Sequence, residues 1–457
     1  MTREKAVSQE PLRELTDAIA SGDAAEVAEW IDRIPEEDSA RSVARLRESE
    51  QLQLLNLLPA TRAAELLEEL PEAHAAELLE RLDRKDAAAI LNEVASDEQA
   101  DLLNRLDTAD AEGILSAMDP AEAADARRLA QYPAESAGGL MISEYLSYPE
   151  DYTVDDVLED LRANVERYQK YDVQYAYVVD TAGRLKGVLR LRDLLLARPD
   201  QPIGAIAIRD PHSVPVDAPL SELERFFDHN QLFGVPVVDE AGTLVGVVRR
   251  QDVEQAAEER TGRVMLKLTG ILGGEELRTM PLWRRSVRRL SWLSINIVLN
   301  LIAASVISVY QETLQAAITL AVFLPIISDM SGCSGSQAVA VSMRELALGL
   351  LRPTEILWVI AKESAVGVIN GIGLGLLLGT IAFFWKGNPW LGGVVGVALA
   401  LNTIIAVCLG GAIPLILRMF KQDPALASGP ILTTVTDMCG FFLMLSLAEL
   451  ILTRLAT

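Results

Sequence analysis

The sequence predicts a multi-domain membrane protein: an all-α helical-repeat domain first, an α/β pair second, and a domain of five transmembrane helices last. Three observations carry this. Of 65 acidic and 41 basic residues, only eight acids and seven bases lie from Leu290 onward, so a head of net charge −23 precedes a nearly neutral, apolar tail. A mean hydropathy of +0.21 alongside 23% charged residues requires that segregation, because one uniform soluble domain cannot hold both. Two internal repeats stand in the head, one of 12 residues and one of 59.

The 12-residue repeat begins at Leu58 and reads LPATRAAELLEE, LPEAHAAELLER, LDRKDAAAILNE, VASDEQADLLNR, LDTADAEGILSA. Pro59, Pro71, Asp83, Asp107 and Asp119 mark the starts, and a Leu-Leu or Ile-Leu pair falls near each end. Each copy is one short helix plus a turn, and stacked copies make a solenoid with acidic outer faces, assigned to residues 1–135. Such an acidic head argues against nucleic-acid binding, whose footprint is basic. Three cysteines, two in apolar runs, exclude a disulfide scaffold. The polar start MTREKAVSQE has no signal-peptide core, so no leader is expected.

The longer repeat occupies residues 136–252. Asp180 matches Asp239, Gly183 matches Gly242, Gly187 matches Gly246 and Asp193 matches Asp252. Each copy reads as strand, Asp-Ala-Gly hairpin, strand, then a helix opened by an Asp, with an amphipathic helix upstream. The duplicated hydrophobic–Asp–x–x–Gly–x–Leu–x–Gly–Val pattern resembles a pair of cystathionine-beta-synthase (CBS) domains. That resemblance implies an adenine nucleotide such as ATP, with Asp193 or Asp252 on the ribose. Arg190 and Arg192, and Arg249 and Arg250, precede those acids and suit phosphates. The alternative for each Asp is a helix cap.

Five apolar stretches follow, at 292–310, 314–341, 356–385, 391–419 and 430–452, each near the 20 or so residues that cross a bilayer. Arg278, Arg284, Arg285, Arg288 and Arg289 precede the first span, and Arg344, Arg352, Arg418 and Lys421 lie in alternate loops. The positive-inside rule then puts the N-terminus in the cytoplasm and the C-terminus outside. Asp329 and Asp437 fall in or near membrane depth, where a carboxylate faces a partner or a water-filled path; the alternative for Asp329 is a helix-end carboxylate near an interface. Around them lie Ser331-Gly-Cys333-Ser-Gly-Ser336-Gln337 and Thr433, Thr434 and Thr436, whose hydroxyls and backbone carbonyls suit a divalent cation that keeps part of its water. The glycines Gly371, Gly373, Gly375, Gly392, Gly393 and Gly396 permit close helix contact, here expected between two subunits. No phosphate-binding loop of the G-x-x-x-x-G-K type occurs, so neither a pump nor another enzyme is expected.

The order of helical repeat, CBS pair, connecting segment (253–289) and membrane domain (290–457), with Gly332-x-x-Gly335-x-Gln337, Arg344-x-Leu-Ala347, Asp423-Pro-Ala-Leu-Ala-Ser-Gly-Pro430 and Asp437-x-x-Gly440, resembles the bacterial MgtE-type magnesium channels. The resemblance implies a homodimer in the inner membrane, a pore between the two membrane domains, and closure by cytoplasmic Mg²⁺. It implies Asp437 as the pore carboxylate and Glu65, Asp97, Asp101 and Asp252 as sensing carboxylates. Two departures matter. Cys333 and Ser336 stand where the family usually has asparagines, and a soft thiol is a poor Mg²⁺ ligand, so either the Cys333 backbone carbonyl serves or selectivity shifts toward softer ions such as Co²⁺. Gln255, Arg260 and Arg263 stand where the connecting helix usually has acids, so sensing is expected to be weaker, shifted or driven by nucleotide. The rival reading is a membrane-anchored CBS sensor that conducts nothing.

Overall fold

The computed structural model describes residues 10–33, 42–43, 45–168, 171, 174–271, 276 and 282–452; Arg278 and the first nine residues lie outside them. The chain divides into two compact units, Met1–Glu259 and Arg260–Thr457.

The first unit opens with α1 (Glu10–Ser21) and α2 (Ala24–Arg33) and continues as a solenoid: α3 (Glu48–Leu57), α4 (Ala60–Glu68), α5 (Glu72–Arg81), α6 (Arg84–Leu91), α7 (Ser96–Arg105), α8 (Thr108–Leu115) and α9 (Pro120–Leu129). Every 12-residue copy makes one helix. Asp83 and Asp119 start theirs by accepting from the backbone N–H of Lys85 (3.0 Å) and Ala121 (2.9 Å). The helices alternate between two rows, α3, α5, α7 and α9 in one and α4, α6 and α8 in the other. The Leu-Leu phases, from Leu66 and Leu67 to Ile114 and Leu115, share one buried core.

The α/β pair follows: β1 (Met141–Ile142), β2 (Leu146–Pro149), α10 (Val154–Ala163), α11 (Val165–Tyr168), β3 (Tyr175–Val179), β4 (Leu185–Arg190), α12 (Leu191–Leu196), α13 (Ile203–Ile206), β5 (Ile208–Arg209), β6 (Val214–Pro215), α14 (Leu220–His229), β7 (Gly234–Val238), β8 (Leu244–Arg249) and α15 (Arg250–Leu268). One sheet runs β2-β3-β4-β5 and the other β1-β8-β7-β6. β2 is parallel to β3 and β6 to β7, while β3–β4 and β7–β8 are antiparallel hairpins. Asp180 closes the first hairpin by accepting from Ala182 and Arg184 N–H, and Asp239 repeats this with Ala241 and Thr243. Gly183 and Gly242 follow at φ +76° and +79°, which only glycine adopts freely. The hairpins meet head to head: Leu185 N–H donates to the Gly242 carbonyl and Leu244 N–H to the Gly183 carbonyl, both at 3.1 Å. Neither Asp193 nor Asp252 opens its helix as expected. The strands run directly into helices starting at Leu191 and Arg250, so each acid is the third helical residue.

In the second unit, α16 (Leu282–Val309), α18 (Leu324–Ala347), α19 (Ile356–Lys386), α20 (Pro389–Met419) and α21 (Pro424–Leu450) carry the five apolar spans, and a short α17 (Gln311–Ala316) with a 3₁₀ turn (Ile318–Val322) precedes α18. Central α20 packs on α18, α19 and α21. One boundary differs from the sequence reading. The second span runs from Ile318 rather than 314, and its α-helix begins at Leu324 with Pro325 in the first turn, where proline is favoured. The last helix starts at Pro424, capped by Asp423 onto Ala425 N–H (3.0 Å), so Pro430 lies inside a helix whose apolar span runs Ser428–Leu450, close to the stretch read from sequence. The glycine expectation also needs correction. A Cβ on Gly375 would stand 2.5 Å from the Gly396 carbonyl, and one on Gly371 2.6 Å from that of Ala400. These glycines let α19 and α20 cross within one chain, leaving Gly373 and Gly393 on open faces. The end of α15 rests on this unit: Lys267 Nζ pairs with Asp423 (2.8 Å), and Leu268 packs with Val339, Ile413 and Leu432.

Candidate functional site

A groove of about 1180 Å³ opens along the membrane unit between α16, α18 and α21. Asp329, Cys333 and Ser336 line it from α18, and Thr433 and Asp437 from α21. Their spacing explains this. Residues 329, 333 and 336, and again 433 and 437, lie three or four apart and so share one helix face. Asp329, Cys333, Ser336 and Thr433 are exposed to the groove and Asp437 is half-buried. Thr434, expected beside them, is not in the lining: it is buried, and its hydroxyl donates to the Pro430 carbonyl at 2.7 Å. Three lining groups escaped the sequence reading. Ser328 donates a short hydrogen bond to Asp437 Oδ1, and Asn296 and Asn300 supply amides from α16. The run 331–337 is continuous α-helix, so its carbonyls belong to the helical ladder. What Cys333 presents to the groove is its thiol, not a freed carbonyl. Carboxylates, hydroxyls and amides on a wide, open groove can hold a divalent cation through its hydration shell.

A second polar cluster lies in the first unit, where the solenoid meets the α/β pair. Ala100 and Leu129 enter the core that contains Leu140 and Met141. Beside this seam Ser96 donates to Glu144 (2.7 Å), and Arg249 Nε donates to Asp252 (2.7 Å) while its Nη2 lies 3.8 Å from Asp97. Asp97 is buried, with Glu98 and Glu68 nearby. Burial, then repulsion from Asp252, pushes the Asp97 carboxyl up to about 7 against the pull of Arg249. Burial and Glu68 push Glu98 up to about 8. The fold thus brings Asp97 and Asp252 together with Arg249 between them. Asp101 is half-buried one turn along α7, whereas Glu65 points outward and pairs with Arg62 (2.7 Å). Among the described residues, the one set of three acids close enough to share a metal is Glu80, Asp107 and Asp110, on the solenoid surface and outside the expected set.

A cleft of about 260 Å³ in the α/β pair is lined by Tyr145, Tyr175, Tyr177, Phe233, Arg249 and Arg250, among others. Of the residues expected to meet a nucleotide, Arg249 and Arg250 line it, whereas Asp193, Asp252, Arg190 and Arg192 do not. Arg190 and Asp193 are loosely paired at 4.0 Å elsewhere. Arg250 is spent on structure, donating to the carbonyls of Phe227, Asn230 and Leu232.

Comparison with known proteins agrees with this layout. Residues 324–447 match a family described as MgtE, divalent cation transporter; residues 34–135 match the MgtE intracellular N domain; and residues 137–200 and 203–259 match CBS domains. The chain is 35% identical over 334 residues to the magnesium transporter MgtE of Thermus thermophilus, covering 72% of this chain and 73% of that one. It is 30% identical over 328 residues to the magnesium transporter MgtE of Bacillus subtilis, with 72% of each covered. A crystal structure of the cytosolic domain of the Mg²⁺ channel MgtE in complex with ATP superposes with a TM-score of 0.50 at 34% identity, covering 54% of this chain and 99% of that one. With solenoid, CBS pair and five membrane helices in this order, and relatives matched over more than two thirds of their length, the chain belongs to the MgtE family of divalent cation transporters.

Proposed function

We propose that the protein passes Mg²⁺ across the bacterial inner membrane along the groove and is gated from the cytoplasm. One observation carries the reading. Asp329, Cys333, Ser336, Thr433 and Asp437, all singled out from sequence, line a single groove, with Asp437 oriented by Ser328. Asp437 is the pore carboxylate, and Asp329, Ser336 and Thr433 hold the ion's water. The protein works as a homodimer, with the apolar face of α16, only 6% of its window buried within one chain, open to a second subunit. The N-terminus is cytoplasmic and the C-terminus outside. The domains run 1–135, 136–252, 253–289 and 290–457.

Gating couples the CBS seam to the pore. Divalent cations or protons at Asp97, Glu98 and Asp252, aided by Asp101 and Glu65, hold the solenoid on the CBS pair. The connecting helix passes that state on through Lys267 and Asp423, at the start of the Asp437 helix. An adenine nucleotide in the aromatic cleft, with Arg249 near its phosphates, modulates the same seam. A second reading, selectivity shifted toward Co²⁺ or other softer ions, is favoured by the exposed thiol of Cys333. A non-conducting sensor leaves the groove carboxylates unexplained. Asp437→Asn and Asp437→Ala in Mg²⁺ uptake by cells lacking their own transporters test the proposal. Uptake and Mg²⁺ preference should fall for Asn and further for Ala; uptake equal to the parent in both would place the ion path elsewhere.

A further inference from the structure

The groove is built from α18 and α21, and their spacing decides whether Asp437 meets Ser328. Behind them lies α20. Asn402, midway along it, is fully buried, and its amide Nδ2 donates in two directions: to Ser331 Oγ on α18 (2.6 Å) and to the Thr436 carbonyl on α21 (3.1 Å). Ser331 gives its own proton to the Ile327 carbonyl (2.7 Å) and is therefore the acceptor toward Asn402. Ser331 lies one helical turn past Ser328, and Thr436 immediately precedes Asp437. The two donations thus stand directly behind the Ser328–Asp437 hydrogen bond.

The surroundings fit this short reach. A Cβ on Gly410 would stand 2.2 Å from the Gly335 carbonyl, so α18 and α20 touch backbone to backbone. A Cβ on Gly440, one turn past Thr436, would stand 2.7 Å from Asn402 Nδ2. Packing alone does not explain the amide. Asn402 Oδ1 is buried and accepts no hydrogen bond among the described residues, which is costly inside a bilayer. Leucine would fill similar space without stranding an oxygen. Neighbouring Thr403 is equally buried but turns its hydroxyl to its own helix, at the Leu399 carbonyl (2.8 Å).

We infer that Asn402 is a positioning residue for ion selection: its NH₂ brackets α18 and α21 in the register that keeps Asp437 against Ser328 and facing the groove. The inference rests on Asp437 being the pore carboxylate. The test uses the full-length protein in liposomes and compares Asn402→Leu, Ser331→Ala and, as a buried control, Thr403→Val. Mg²⁺ flux against concentration, Mg²⁺/Na⁺ discrimination and thermal melting are read for each. Asn402→Leu should melt no lower than the parent, yet need about tenfold more Mg²⁺ for half-saturation and discriminate less, the tenfold being roughly the loss of one buried hydrogen bond at the ion-holding helix. Ser331→Ala should shift the same way by a few-fold and add little in the double variant, while Thr403→Val should change neither property. Parent-like half-saturation and discrimination in Asn402→Leu would overturn the inference. If that variant does not fold, parent-like values in Ser331→Ala would overturn it instead. Asp437→Asn run alongside separates the two failures: if it too leaves both properties unchanged, the pore reading itself is wrong.

Discussion

Replacing Arg249 with glutamine should make the solenoid's grip on the CBS pair depend on divalent cations. Arg249 and Asp252 belong to the CBS pair and Asp97 to the solenoid, so the 3.8 Å contact between Arg249 and Asp97 crosses the seam. Unit charges 4 Å apart attract by about 4 kcal/mol at an effective dielectric of 20. Breaking a buried pair from one side commonly costs about 3–5 kcal/mol. Asp97 recovers part of this by holding a proton, since its carboxyl already sits up at about 7. A net loss of about 2 kcal/mol, roughly thirtyfold in docking at neutral pH, is the expected scale. The pH dependence has a definite sign. Asp97 and Glu98 titrate higher when docked, at about 7 and about 8, than when freed, so the docked state binds more protons between about pH 4 and 8. Docking therefore weakens as pH rises through 7–8, and Arg249→Gln should differ most from the parent at the alkaline end. Hydrogen exchange of the α7 segment, Ser96–Arg105, in the full chain reads this directly. With chelator at pH 8 the variant should lose protection there, and millimolar Mg²⁺ should restore it as the metal takes the place of the guanidinium. Equal protection in variant and parent with chelator, or a loss that Mg²⁺ does not repair, would refute the reasoning.

Two further outcomes follow from the membrane unit. Because the Cys333 thiol faces the groove, Cys333→Asn and Cys333→Ser should both relieve block of Mg²⁺ flux by Cd²⁺ while sparing or raising the flux; the same block in all three proteins would mean that sulfur never meets the ion. Because a Cβ on Gly396 would stand 2.6 Å from the Gly375 carbonyl, Gly396→Leu should force α19 and α20 apart, lowering the melting temperature and the yield of folded protein; a parent-like melt would show that the crossing has slack.

The parts that sequence made legible were those with a period or a charge. The 12-residue Leu-Leu phase marks the solenoid core because each helix must bury that face. The matched Asp180 and Asp239 mark hairpins because their carboxylates satisfy turn amides. Asp329 and Asp437 were visible because a carboxylate at membrane depth needs a reason. Neutral polar residues were legible only in part: Ser336 and Thr433 stood out beside the acids, but Ser328, Asn296 and Asn300 did not. Ser and Thr in apolar helices mostly bond to their own backbone, as Thr403 and Thr434 do, and nothing in the chain separates them from Ser328, which bonds across to α21. The glycines misled because a small face fits a neighbour in the same chain as well as one in another. Arg249 escaped notice as the partner of Asp97, because 152 positions separate them and only the folded seam unites them.

The most direct measurement of the central claim is ion flux into liposomes that contain only this purified protein, each cation supplied in turn. The account predicts Mg²⁺ entry with no energy source other than the gradient, falling as Mg²⁺ is raised on the side bearing the solenoid and CBS pair, and reduced in Asp437→Asn. A folded protein that passes no divalent cation from either side would contradict it.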